Sequence, residues 1–224
     1  ILTSTDGTTW TGRTSGTSNH LYGVTYGNNT FAITGAAGII LTSSDVTPSA
    51  TVSTLSLSGI DNSTSVNFEK MTSSGNSLYL SGRSNSPMYR VNLVEGDNST
   101  TTGVATKIEP SFTNASYYNT GTEVQLSYVG GFATDGTALY VTDGNNKLIR
   151  KIDLTTSNIS TLAGKLENYA DGIGEEAEFR FPEKMIRIGT NIYLIDDTRI
   201  RKVNPATGEV STLKTSGESY DWIE

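Results

Sequence analysis

Cysteine is absent from the 224 residues, and histidine occurs once, at His20. The first absence excludes disulfides, thiolate metal sites and a cysteine nucleophile. The second excludes any multi-histidine metal centre, and a lone His20 in the polar turn TSNHLYG is a poor setting for a catalytic triad. Sixteen Lys and Arg stand against 23 Asp and Glu, a net charge of −7. That balance speaks against nucleic acid, which calls for a basic face. No apolar run approaches transmembrane length, so no membrane insertion is expected. GxGxxG, P-loop and HExxH elements are all missing. No pair of carboxylates presents itself as the fixed couple a glycosidase needs. The sequence therefore nominates no catalytic residue.

What the chain does have is short strands and turns. Residues 129–164, VGGFATDGTALYVTDGNNKLIRKIDLTTSNISTLAG, read as four strands with a turn signal between each pair. Asp135-Gly136 and the run Asp143-Gly144-Asn145-Asn146 supply residues that tolerate positive φ between β-forming stretches. In LIRKIDL, period-2 alternation puts Leu148, Arg150 and Ile152 on one face and Ile149 and Lys151 on the other. Four antiparallel strands in about 35 residues make the size of one propeller blade.

The unit recurs. VSTL or ISTL occurs at 52–55, 159–162 and 210–213, and VATKIE at 104–109 fills the gap in phase. Each second strand carries an aromatic, at Phe31, Tyr79, Tyr140 and Tyr193, with Gly27, Gly75, Gly136 and Gly189 shortly before it. Third strands follow as GIILTSS, PMYRVNL, LIRKIDL and RIRKVNP. The expected fold is an all-β propeller with four full four-stranded antiparallel blades, at about 22–58, 66–110, 128–164 and 181–215. Residues 1–21 read as a half blade, which makes a partial fifth.

Over residues 129–215 the chain resembles the NHL-type propeller repeat. The matching phrases are ISTLAG, YADGIGEEAEFRFPEKM (169–185) and NIYLIDDTRIRKV (191–203). Their ADG and A-x-F-x-F-P elements resemble the connection from an outer strand to the next blade's inner strand. The first 45 residues, where ILTSTDG is nearly repeated by ILTSSD, are similar instead to sialidase-like or photosystem-assembly-factor-like bacterial surface repeats. Both resemblances imply a propeller, and neither implies one activity, because such folds host binding modules, hydrolases and lyases alike.

The 224 residues read as a single propeller domain, since all-β folds of this length often form one unit. Residues 216–224 read as a closing segment that pairs with the N-terminal half blade. The rival reading completes that blade with strands missing from this chain or supplied by a partner. The Ser-, Thr-, Asn- and Gly-rich composition suits an extracellular or cell-surface bacterial protein, with the targeting segment outside this chain.

Candidate ligand-facing residues fall on the long connections and the turns after second strands. Tyr117, Tyr118 and Asn119 in SYYNTGT are suited either to a platform for a glycan or peptide or to packing their connection down. Asp143 and Asp196 occupy equivalent places after second strands, with Asn145, Asn146 and Asp197 beside them. Carboxylates repeated at one level would suit a calcium ion, which takes oxygen ligands; the alternative is Asp and Asn bonding their own turns. Lys147, Arg150 and Lys151, and Arg199, Arg201 and Lys202, read either as an anion-binding strip or as outward-facing residues of third strands.

Three functions remain open from this reading. The first is a non-enzymatic surface propeller binding a protein or glycan partner. The second is a propeller hydrolase or lyase acting on a sugar or lactone through a metal. The third is a subunit that assembles with copies of itself.

Overall fold

The computed structural model describes residues 2–3, 6, 8–12, 14–27, 30–43, 53–58, 60, 68–82, 88–95, 101–108, 126–165 and 168–215. The fold is all-β and of the propeller type, with four antiparallel sheets as blades. Two compact units divide the chain, residues 1–108 and 109–224, and each contains two blades. No helix among the described residues is long and apolar enough to cross a membrane.

In the first unit, β1 (Leu2–Thr3) and β2 (Thr11–Gly12) form a two-stranded antiparallel pair within residues 1–21. The first blade runs in order β3 (Leu21–Gly27), β4 (Thr30–Gly35), β5 (Ile40–Ser43) and β6 (Ser53–Thr54). After it come β7 (Ser56–Ser58), β8 (Lys70–Ser74), β9 (Ser77–Ser81), β10 (Met88–Glu95) and β11 (Thr101–Ile108). The last four make the second blade. Ala32, Ile40, Leu55, Phe68, Leu78, Leu80, Tyr89 and Val91 form the apolar layer within this unit.

One strand departs from the sequence reading. The blade expected at about 22–58 ends earlier, because the stretch ATVSTLSLS divides at Leu55. Its first part, β6, pairs with β5; its second part, β7, pairs in parallel with β11 at the outer edge of the second blade. The physical reason is Leu55, whose N–H donates back to the Ile40 carbonyl while its side chain is buried in the apolar layer. Burying that leucine turns the strand from one sheet to the next.

The second unit comprises β12 (Val129–Thr134), β13 (Ala138–Asp143), β14 (Leu148–Asp153) and β15 (Ile159–Ala163) as its first blade. Its second blade has β17 (Pro182–Ile188), β18 (Asn191–Asp196), β19 (Arg199–Val203) and β20 (Glu209–Thr215). Ahead of that blade, β16 (Gly172–Ile173) pairs with β20 at its outer edge, so here too the connection supplies a fifth strand. A covered edge cannot template pairing with another chain. A 3-10 turn at Gly174–Glu176 follows β16 in this connection.

Small residues in the inner strands let the blades of this unit approach closely. The register of β12 shifts between Val129 and Phe132. In that bulge the N–H groups of Gly130 and Gly131 both donate to the Thr142 hydroxyl, at 3.1 and 2.7 Å. A Cβ on Gly131 would lie 2.6 Å from the backbone N of Met185, and one on Gly130 would lie 2.7 Å from Cα of Glu183. The layer between the two blades holds Ala133, Tyr140, Ile149, Ala163, Ile192, Leu194, Val203 and Val210, joined by Ala177 and Phe179 of the connection.

Candidate functional site

The residues to follow are the carboxylates after the second strands. Asp143 and Asp196 each close a second strand and are fully buried. Each holds an arginine two residues beyond the one opposite it in the third strand. Arg150 Nε lies 3.1 Å from Asp143 Oδ2, and Arg201 Nη1 lies 2.8 Å from Asp196 Oδ2, with all four side chains at 0% exposure. The remaining carboxylate oxygens organise the backbone. Asp143 Oδ1 accepts the Ser127 N–H at 2.6 Å, and Asn146 donates to both of its oxygens at 2.9 Å. Asp196 Oδ1 accepts the N–H groups of Arg180 and Phe181 at 2.9 and 2.8 Å.

Burial pushes both aspartates above the usual carboxylate range. The arginines and the N–H donors pull the other way. Each pair thus ties three segments at one point: the end of the second strand, the third strand and the entry of the first strand. Arg201 also donates to the carbonyls of Glu178 and Ala170 and to Asp171, which clamps the connection onto the blade.

These pairs correct the reading of the basic clusters. Arg150 and Arg201 are not outward-facing residues of third strands but fully buried ones. Lys147 and Arg199 remain half-buried at the solvent boundary. Asn146 is buried with Asp143, whereas Asn145 and Asp197 face solvent. Tyr117, Tyr118 and Asn119 lie outside the described residues. Among the described residues, no group of three or more His, Asp and Glu stands together in a way that could hold a metal.

Around the segments that the pairs anchor lies a strip of rings and cations. Ser127, fixed by Asp143, leads into Tyr128, whose ring centroid is 5.3 Å from that of Phe181. Lys147 Nζ lies 5.0 Å from the Phe181 centroid. Next to Phe181, Arg180 reaches toward the Tyr169 ring at 5.9 Å, and Arg199 covers the same ring at 3.7 Å. Two carboxylates accompany the strip. Asp197 accepts the Tyr169 hydroxyl proton and lies 3.6 Å from Arg180, and Tyr128 donates to Glu183 at 3.5 Å.

Three non-glycine residues of this strip, Tyr128, Lys147 and Asp197, have φ of 63°, 62° and 53°. That region costs bulky side chains of order 1–3 kcal/mol each and persists only where the surroundings over-determine it. Sequence reasoning passed over Tyr128, Tyr169, Arg180 and Phe181. A signal for the last three was present, because they lie in the YADG and A-x-F-x-F-P phrases already set apart as a special connection.

No protein-family model matches the chain, and no curated protein matches it. Similarity appears among solved structures. An auxiliary nutrient binding protein from Bacteroides thetaiotaomicron VPI-5482 is similar over 83% of this chain and 46% of its own, at 17% identity and a TM-score of 0.59. YCF48 bound to D1 peptide is similar over 92% of this chain and 58% of its own, at 13% identity and a TM-score of 0.54. A luciferin-regenerating enzyme is similar over 89% and 64%, at 12% identity and a TM-score of 0.52. The chain thus spans from about half to just under two thirds of the length of these proteins. At such identities the likeness establishes the propeller fold and nothing further.

Proposed function

We propose that this chain is a non-enzymatic binding propeller that takes a protein or glycan partner on the exposed strip of its second unit. The observation that carries the reading is the division of charged residues there. The aspartates that could have faced a ligand are buried on arginine, while Lys147, Arg180 and Arg199 lie at the solvent boundary, seated on aromatic rings. Similar solved structures include a nutrient binding protein and a peptide complex, which supports binding as a use of this fold. The NHL-like connection over residues 169–181, clamped by Arg201, serves in this reading as the support of the strip. An extracellular or cell-surface bacterial location goes with it, in keeping with the composition and the Bacteroides neighbour.

The alternative is a hydrolase or lyase acting on a sugar or lactone with calcium, and one panel separates the two. The purified chain is presented to peptide and glycan arrays, and to sugar and lactone substrates with and without calcium. Saturable binding without turnover supports the binding reading; calcium-dependent turnover overturns it. Assembly with copies of the same chain is a further reading, favoured by the isoleucines exposed on β17, β18 and β19.

A further inference from the structure

We propose that the strip Lys147–Phe181–Arg180–Tyr169–Arg199 is a docking track for an acidic peptide segment of a protein partner, an assignment that rests on the binding reading above. The rings explain why the partner is a peptide carrying carboxylates rather than a sugar that stacks. Phe181 is already engaged by Lys147 and Tyr128, and Tyr169 by Arg199 and Arg180. What the strip offers outward is therefore cations held in place by rings, and not bare ring faces. Lys147 and Arg199, each seated on a ring, keep their remaining N–H donors for an acceptor beyond it, and bonds from such donors to carboxylates are the strong ones.

The strip is a local exception on an acidic chain: three cations meet two carboxylates, Asp197 and Glu183, where the overall charge is −7. The Arg180–Asp197 contact is an exposed one, with 57% and 38% of the two side chains accessible, so an incoming carboxylate can displace it at small cost. The buried Asp143 fixes the backbone of Ser127, next to Tyr128, and the buried Asp196 fixes that of Arg180 and Phe181 in the middle of the track. The left-handed backbones of Lys147 and Asp197 set their side chains in position before any partner arrives. Such preorganisation lowers the entropic cost of binding.

The test is anisotropy of a fluorescent hexaglutamate peptide titrated with the whole chain at low and physiological salt, with sodium polygalacturonate as a second probe. Binding of the peptide that weakens with salt is expected, and Lys147→Gln and Arg199→Gln should each weaken it about tenfold, which is about 1.4 kcal/mol. Lys151→Gln, on β14 just beyond Lys147 but off the strip, should leave it unchanged, and circular dichroism checks that every variant is folded. Equal losses in Lys151→Gln, or folded Lys147→Gln and Arg199→Gln variants that bind as well as the parent, would overturn the track. Capture of polygalacturonate but not of the peptide would overturn the peptide assignment and leave the binding reading standing. If neither probe binds, the track is wrong, and the array experiment decides the wider reading separately.

Discussion

Arg150 and Arg201 show how much of a blade can depend on one side chain. Each neutralises a buried aspartate, and each spans strands that a hydrophobic residue of similar size would only touch. Removing one partner strands a charge in the interior, which costs about 3–5 kcal/mol. Arg150→Met should therefore lower the urea midpoint sharply, while Asp143→Leu with Arg150→Met should recover only part of the loss, because Ser127 and Asn146 lose their acceptor. The sequence held the clue: Leu148, Arg150 and Ile152 share a face, and an arginine between two leucine-like neighbours points inward. Alternation reports which residues lie together, but not which of two faces is covered, and for that reason the arginines were read as outward. Acid titration offers a second handle at this scale. Asp135 is held below the usual carboxylate range: burial opposes this, but bonds from the Tyr140 hydroxyl, the Ala138 N–H and Thr137 outweigh it. Its folded form binds protons less readily than the unfolded chain, so its contribution is present above about pH 4 and fades as pH falls through the folded value. Asp135→Asn should flatten the decline in thermal midpoint below about pH 4. An unchanged slope would mean that this carboxylate is not a main source of acid sensitivity.

Strands and turns were largely legible, because the hairpin signals and the alternation agree with each other at every blade. The aromatic of the second strand illustrates the physical limit. Tyr79 and Tyr140 are buried, while Phe31 and Tyr193 are only half-buried. The same letter in the same register meets a different environment depending on what packs over it. The extra strands β7 and β16 left no comparable mark, since three and two residues are too few to show a period. The inner-strand glycines were visible as small residues, but their reason is the approach of two backbones. Gly131→Ala must push its Cβ against Met185 N and Lys184 Cα, neither of which can rotate away. A loss of about 1–3 kcal/mol in urea unfolding is expected, within the range of overpacking changes. An equal or higher midpoint would mean that the two blades of this unit can part without cost.

For the molecule as a whole, the blade at 181–215 carries the feature on which the self-assembly reading rests. Ile186 pairs with Tyr193, and Ile195 with Ile200, on the face of β17 to β20 turned away from the preceding blade. Ile186, Ile188, Ile195 and Ile200 are 59, 59, 43 and 46% exposed. A group of this kind marks an interaction surface or a tendency to associate. On the self-assembly reading, sedimentation shows concentration-dependent association of the chain, and Ile186→Lys with Ile195→Lys abolishes it while leaving the fold intact. A parent that stays monomeric at high concentration would remove the self-assembly reading.

The division of one strand at Leu55 has a mechanical meaning. The first blade is a row of antiparallel pairs, which a pull on the N-terminus can peel apart one bond at a time. At Leu55 the same chain passes into a second sheet, where β7 lies parallel to β11. The advancing force then reaches several bonds at once, together with a leucine seated in the layer between the blades. The joint should act as a stitch, slowing damage that begins in the first blade before it runs into the second.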